Sequence, residues 1–148
     1  MHPTAARFQQ RLHEHGLDVE VHVLPDSTRT VREAATAVGC EFGQIVKSLV
    51  FMRDGRPVMV LCAGDRRVAA ERLGLRAATA DEARAATGFS IGGIPPLGHD
   101  EPLETLIDES LRRFATVWSA AGTPHALFEA DTEALIAAIP GGAVVEVT

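Results

Sequence analysis

Lysine is almost missing from this chain: Lys47 stands alone beside thirteen arginines. Cysteine is scarce as well, limited to Cys40 and Cys62. Two thiols without a C-x-x-C partner make no disulfide framework, so both are expected to be reduced, mostly buried and inert. No window approaches the roughly 18 uninterrupted apolar residues of a membrane span. The stretch Met1-His2-Pro3-Thr4-Ala5-Ala6-Arg7-Phe8 has no apolar core of a signal peptide. A soluble, cytoplasmic chain without membrane attachment is the expectation. Positive charge is in deficit, with a formal net charge of −6, which argues against a broad basic surface for gripping nucleic acid and leaves room for a small contact only. The local arginine clusters, Arg66-Arg67 with Arg72 and Arg76, and Arg112-Arg113, either meet phosphates at a pocket rim or lie on solvated helix faces. A metal pair is lacking too: His13 and His15 are two apart on an expected helix and point to different faces. Neither a metal nor a cofactor is expected.

The 148 residues are 46% hydrophobic, which suits one compact domain over 1–148 burying about 68–70% of its unfolded surface. Lys47 lies inside the apolar run Ile45-Val46-Lys47-Ser48-Leu49-Val50-Phe51. In a strand Ile45, Lys47, Leu49 and Phe51 share one face and Val46, Ser48 and Val50 the other. An ammonium on an apolar face is costly unless an anion or a polar cavity meets it. Either Lys47 snorkels out or pairs with a carboxylate, or it stands at the wall of a pocket as an anion-binding or catalytic group.

The remaining pattern mixes helices and strands. Pro3 to Gly16 carries Phe8 and Leu12 at helical spacing, and Val19, Val21 and Val23 alternate with Glu20 and His22 as a strand. Thr30 and Glu33 form a capping box for a helix closed by Gly39. Residues 45–52 and 57–62 read as strands joined through Asp54-Gly55, a hairpin signal. Val68 to Leu75 reads as a helix ended by Gly74, and a second helix opens at Thr79 and finishes at Thr87-Gly88; the two are expected to cover one face of the sheet. Further strands are expected at 103–108, 115–120, 125–129 and 143–147, with a helix opened by Asp131 and stopped by Pro140-Gly141-Gly142. No regular strand–helix repeat appears, so the class is α+β: a mixed, mostly antiparallel sheet curled around a pocket with flanking helices.

Gly92-Gly93-Ile94-Pro95-Pro96-Leu97-Gly98-His99 is the second informative segment. It is no Walker loop, since a proline pair stiffens its middle and histidine rather than lysine ends it. The glycines allow close backbone approach, and the prolines fix its course. The segment is either a rigid connector or a loop that offers its own backbone groups to a ligand.

The pairing of the Val46-Lys47-Ser48-Leu49 strand with a Gly-Gly-x-Pro-x-Gly-His type of loop resembles the YbaK and prolyl-tRNA synthetase-associated editing domain family. The similarity runs over nearly the whole chain, through Thr28-Arg29-Thr30, the Gly64-Asp65-Arg66-Arg67-Val68 turn, Thr87-Gly88-Phe89 and Ile107-Asp108-Glu109-Ser110. It implies a free-standing aminoacyl-tRNA deacylase that hydrolyses the ester of a mischarged tRNA. The tRNA implied is that of proline, carrying a small wrong amino acid such as alanine, cysteine, serine, threonine or 2-aminobutyrate. The chemistry implied is metal-independent and uses no covalent protein nucleophile. By the same resemblance Lys47 would hold the phosphate or ribose region of the terminal adenosine, Gly92 and Gly93 would orient the attacking water or the ester carbonyl, and His99 would carry a proton or position a group. Thr28, Thr30, Ser48, Ile94, Pro95, Gly98, Thr123 and His125 would contact substrate. The partner is the 3′ end of aminoacylated tRNA, delivered transiently by prolyl-tRNA synthetase or an elongation factor. Ala126-Leu127-Phe128 is apolar where some relatives place a carboxylate, which leaves the substrate open. The alternative is a non-catalytic module that binds an amino acid, a nucleotide or a synthetase on the same fold.

Overall fold

The computed structural model describes residues 2–148. Helix α1 (Pro3–Glu14) starts with Pro3 in its first turn, where the missing N–H costs nothing, and buries Ala5, Phe8 and Leu12 on one stripe. Gln9 ties it to the short strand β1 (Val21–Val23): its amide donates to the Val19 carbonyl at 2.8 Å and accepts from the Val21 N–H at 2.6 Å. Helix α2 (Val31–Val38) has the expected reciprocal capping box of Thr30 and Glu33 and ends on Gly39 in the left-handed region. A 3-10 turn at Phe42–Gln44 then leads into the hairpin of β2 (Val46–Arg53) and β3 (Arg56–Ala63). Asp54 and Gly55 both have positive φ, the geometry that matches the natural twist of a two-residue hairpin.

Beyond the hairpin come β4 (Arg76–Ala77), α3 (Ala80–Thr87), β5 (Glu104–Asp108), a 3-10 turn at Glu109–Arg113, β6 (Thr116–Ala120), β7 (Ala126–Asp131), α4 (Thr132–Ala138) and β8 (Gly142–Val145). They complete two sheets. One is the antiparallel trio β1-β7-β6, and the other has the order β4-β2-β3-β5-β8. In the second sheet β2 is antiparallel to both neighbours while β3, β5 and β8 run parallel. The sheets share one core: Phe8 and Leu12 of α1 meet Phe128 and Val117 of the small sheet and Met59, Leu61 and Ile107 of the large one. Phe8 and Phe128 are fully buried with ring centroids 5.6 Å apart, each contributing about 1.5–3 kcal/mol through burial. The α+β class and the mixed, mostly antiparallel pairing stand as expected. No helix among the described residues is long and apolar enough to cross a membrane.

One expected helix is absent. Residues 70–74 form turns between irregular chain, and the short β4 follows. The Ala69 N–H donates to the Val147 carbonyl at 2.8 Å and the Arg72 guanidinium to the carbonyls of Glu146 and Thr148, so this segment is tied to the C-terminal tail. Its own bonds are mainly of the i→i+3 kind, the Leu73 N–H to the Ala70 carbonyl and the Gly74 N–H to the Glu71 carbonyl, each at 3.1 Å, and Gly74 then turns into the left-handed region. Residues 68–75 still pack on the sheet, through Val68, Ala70, Leu73 and Leu75 against Phe51, Val58 and Val60, while Ala83 of α3 joins Val50, Met59 and Leu61, so the two segments lie on opposite faces of the hairpin and not on one as expected.

Candidate active site

The edge of β2 that faces away from β3 is only partly paired. It meets Trp118 at Ile45 and β4 at Phe51 and Met52, leaving the residues between without a strand partner on that side. The Val50 carbonyl accepts from the Ala78 N–H at 3.1 Å, on the outward side. N–H and C=O of alternate residues in a strand point the same way, so the backbone groups of Ser48 also face outward, into the gap. The gap opens on a cavity of about 490 Å³. Its walls are mainly apolar, from Val31 and Ala34 of α2, Val46 and Val50 of β2, and Leu127 of β7. The polar groups are few: Thr28, Arg29 and Thr30 at one side, Lys47 and Ser48 on β2, and the backbone of Gly92. No carboxylate, imidazole or thiol lines it. A wider depression of about 790 Å³ elsewhere carries Glu82, Asp100, Glu101 and Glu104 and does not include β2's lysine, so it lacks the chemistry of the cavity.

Lys47 is half-buried, and its ammonium donates to the Arg66 carbonyl. That carbonyl is held in place from several sides. A Cβ at Gly64 would stand 2.2 Å from the Phe42 carbonyl oxygen, so only glycine permits the turn after β3. Asp65 accepts two hydrogen bonds from Arg113 at 2.9 and 2.7 Å, and this pairing holds its carboxyl below the usual carboxylate range. Asp108, buried at the end of β5, accepts from the Ala63 N–H at 3.0 Å and the Ser110 N–H at 2.9 Å. An ammonium has three protons, so one bond to Arg66 orients Lys47 and leaves two donors for a ligand. Asp65, Asp108 and Arg113 were not among the expected site residues. The sole signal for the first two was their place in segments similar to the family.

The opposite wall is built by stacked loops. A Cβ on Gly93 would lie 2.9 Å from the Thr123 backbone, so the two chains touch where no side chain fits between them. The loop of Thr123 is tied to residues 24–28: the Thr28 N–H and hydroxyl both donate to the Pro124 carbonyl, at 2.7 and 3.1 Å, and the Leu24 N–H donates to the His125 carbonyl at 2.8 Å. Gly92, with φ of 97°, lies under the Arg29 side chain, whose Cγ is 2.5 Å from where a Cβ would stand. Ile94 is buried and faces the cavity.

Of the expected residues, Lys47, Ser48, Thr28, Thr30, Gly92 and Ile94 therefore come together around one cavity. Gly93 and Thr123 stand behind its wall in mutual contact. Pro95, Gly98, His99 and His125 do not line it. The His99 imidazole donates through Nε2 to the Pro95 carbonyl at 2.8 Å and meets the Phe89 ring edge-on, and burial pushes its pKa below the ordinary histidine value. Gly98 gives its carbonyl to Arg11 at 2.7 Å. His125 lies in the exposed turn after Thr123, whose hydroxyl accepts from its N–H at 3.2 Å. Two residues the sequence reading passed over, Arg29 and Ile91, border the cavity instead.

Neither thiol fits a nucleophile. Cys62 is wholly buried, and burial pushes its thiol up to about 11, with Lys47 acting in the opposite sense. Cys40 is raised by burial too and lies away from the cavity. Ser48 is the one hydroxyl deep on β2, and its Oγ has no hydrogen-bond partner. A buried hydroxyl without a partner costs about 1–3 kcal/mol, and no base stands near enough among the lining residues to activate it.

The site is thus a mainly apolar cavity on a partly unpaired strand edge, with one oriented ammonium and the Gly92 backbone among its lining groups. The aminoacyl-tRNA editing domain model matches residues 25–138, and the chain belongs to that family. Over all of its length it superposes on a crystal structure described as a candidate trans-editing enzyme for prolyl tRNA synthetase, with TM-score 0.91, 44% identity and 98% of that chain covered. It is 33% identical over 110 residues to the uncharacterised protein YwhH of Bacillus subtilis, covering 70% of each chain. It is also 32% identical over 109 residues to the proline–tRNA ligase of Ligilactobacillus salivarius, 69% of this chain but 19% of that enzyme, so the chain spans about a fifth of the ligase's length.

Proposed function

We propose that this chain hydrolyses the ester between a wrongly attached small amino acid and the terminal adenosine of tRNA, the tRNA of proline being the leading substrate. The observation that carries the reading is Lys47, held by the Arg66 carbonyl on a partly unpaired strand in a mainly apolar cavity. Water attacks the ester carbonyl carbon, the carbonyl oxygen gathers negative charge, and collapse releases the amino acid and the free ribose hydroxyl. The spare ammonium protons of Lys47, with outward N–H groups of β2 or the Gly92 loop, supply positive charge where that oxyanion develops. These donors are held before the substrate arrives, so little reorganisation is needed during the reaction.

The absence of lining imidazoles and carboxylates supports hydrolysis without a protein base. The attacking water is then oriented by backbone groups and the adjacent ribose hydroxyl of the substrate. The buried, high-pKa Cys62 and the distant Cys40 support a route without a thioester. Walls of alanine, valine, isoleucine, leucine and phenylalanine suit an uncharged side chain. Discrimination among alanine, 2-aminobutyrate and their neighbours then rests on about 1–3 kcal/mol per methylene.

The test is deacylation by purified protein, with EDTA present, of proline tRNA charged separately with alanine, cysteine, serine, threonine and 2-aminobutyrate. Release of one or two of these by wild type, and its loss in Lys47→Ala, is the expected result. No release from any, together with ligand-induced thermal stabilisation, would replace the hydrolase with a binding module.

A further inference from the structure

We infer that Arg29 is the residue that grips a backbone phosphate of the single-stranded RNA end as its terminal nucleotide enters the cavity. The inference rests on the editing reading and adds to it a phosphate site that neither Lys47 nor the arginine clusters provide.

Elimination leads there first. Of thirteen arginines, Arg11, Arg53, Arg76, Arg112 and Arg113 are each held by a carboxylate at 2.9 Å or less. Arg66 lies 4.0 Å from Asp65, and Arg72 donates to the carbonyls of Glu146 and Thr148. The clusters that stood out in the sequence are thus largely engaged with the protein itself. Six arginines carry no such partner among the described residues, and of those only Arg29 borders the cavity. The single lysine lies on β2, less exposed than Arg29, and its spare donors are assigned to the ester carbonyl.

Local structure prepares Arg29 for this task. Its aliphatic stem lies across Gly92, where a Cβ would stand 2.5 Å from Cγ and 3.0 Å from Cδ and Nε. Its backbone N–H is held by the Ser27 hydroxyl at 3.2 Å, and neighbouring Thr28 is locked to Pro124. The side chain is exposed, so its guanidinium keeps access to solvent and to a ligand. No carboxylate lines the cavity to compete for it. A planar fork laid along a glycine presents paired donors to a phosphate with little ordering left to do, which suits Arg rather than Lys at this place. In a chain of net charge −6, one such contact beside the ester gives weak affinity concentrated at the point of reaction.

The test is binding, read separately from catalysis. Fluorescence anisotropy is followed against salt for an acceptor-stem RNA hairpin ending in an unpaired 3′ overhang, and for the same hairpin with a blunt end. Wild type is expected to prefer the overhang. Arg29→Ala should weaken overhang binding about three- to tenfold at low salt and reduce the slope of log Kd against log salt by about 0.7, the value for one phosphate on a single strand. Arg29→Lys should recover part of the affinity. Arg84→Ala, which removes an unpaired arginine of α3 away from the cavity, should leave the slope unchanged and controls for general charge. An unaltered slope in Arg29→Ala, an equal loss in Arg84→Ala, or no overhang binding by wild type would each overturn the assignment. Deacylation by wild type decides the editing reading on its own, so failure of one is not mistaken for failure of the other.

Discussion

The two ends of the loop from Gly92 to His99 are built from similar residues and end up in opposite circumstances. At the first end Gly92 and Ile94 border the cavity, and Arg29 crosses the glycine without a partner of its own. At the second end every conspicuous group is spoken for: the Gly98 carbonyl by Arg11, which also pairs with Asp100, and the His99 ring by the Pro95 carbonyl and Phe89. The lesson is that the histidine, the more reactive side chain by type, is packed and hydrogen-bonded, while a glycine of the same loop borders the cavity. The cavity end of the loop offers backbone beside an exposed arginine, and the far end is anchored by hydrogen bonds and ring packing.

The largest effect expected from breaking this contrast lies across the cavity. Lys47→Ala should lower kcat/KM for the edited aminoacyl-tRNA by about 10²–10³-fold, the usual result of removing one oxyanion donor, with little change in melting temperature. Lys47→Arg should also fall well below wild type, because the Arg66 carbonyl accepts from a compact ammonium and a planar fork cannot keep that bond and the same reach. A Lys47→Ala enzyme within threefold of wild type would remove the lysine from the mechanism.

Glycine replacements at the two ends come next. Gly93→Ala puts a methyl group 2.9 Å from the Thr123 backbone, and Gly98→Ala forces φ of 81° on alanine with Phe8 Cε1 at 3.1 Å. Both should cost about 1–3 kcal/mol in urea unfolding. They should part company in activity. Gly93→Ala moves the wall behind the cavity and should reduce kcat/KM at temperatures where the protein is fully folded, whereas Gly98→Ala should keep kcat/KM once folding is corrected for. Equal activity loss in both would erase the distinction between the ends.

The sequence disclosed most of the framework because its punctuation is strong. Two capping boxes, the Asp54-Gly55 turn and the glycine stops at 39 and 88 each act locally, and each element they bound was legible. Residues 68–75 form turns in place of the expected helix, and their ties to the tail at 146–148 are long-range contacts that sequence-local patterns do not reveal. For the site, Lys47 stood out by rarity and by breaking an apolar run. Arg29 did not, since an arginine beside a helix cap is unremarkable until the pairing of all the others is known. His99 was overvalued for its chemistry because its burial depends on Phe89 and Pro95 in the fold.

The anchor end carries its own pH signature. Burial lowers the His99 pKa, opposed by its bond to Pro95, with Arg11 and His15 adding to the decrease. A depressed folded pKa means that the unfolded chain binds the proton more readily, so the contribution of this residue is fully present above the unfolded value of about 6.5. It is lost as pH falls through the lower folded value. Midpoints of thermal unfolding should therefore drop between pH 7 and pH 5, and the drop should shrink in His99→Gln. An identical profile in the variant would assign the acid sensitivity to other groups.

The smallest effect concerns the orphan hydroxyl. Ser48→Ala removes a buried oxygen that no protein group satisfies, and stability should stay level or rise by up to about 1 kcal/mol. Thr28→Val removes a hydroxyl bound to the Pro124 carbonyl and should lose a similar amount. The opposite signs would follow from the division between groups held by the fold and groups left for a ligand. If Ser48→Ala also weakens turnover, the unsatisfied hydroxyl is retained at the expense of stability because the substrate supplies its missing partner. If Ser48→Ala is instead as destabilising as Thr28→Val, the oxygen already has a partner in the free protein, and the cavity's polar contacts reduce to Lys47 and backbone.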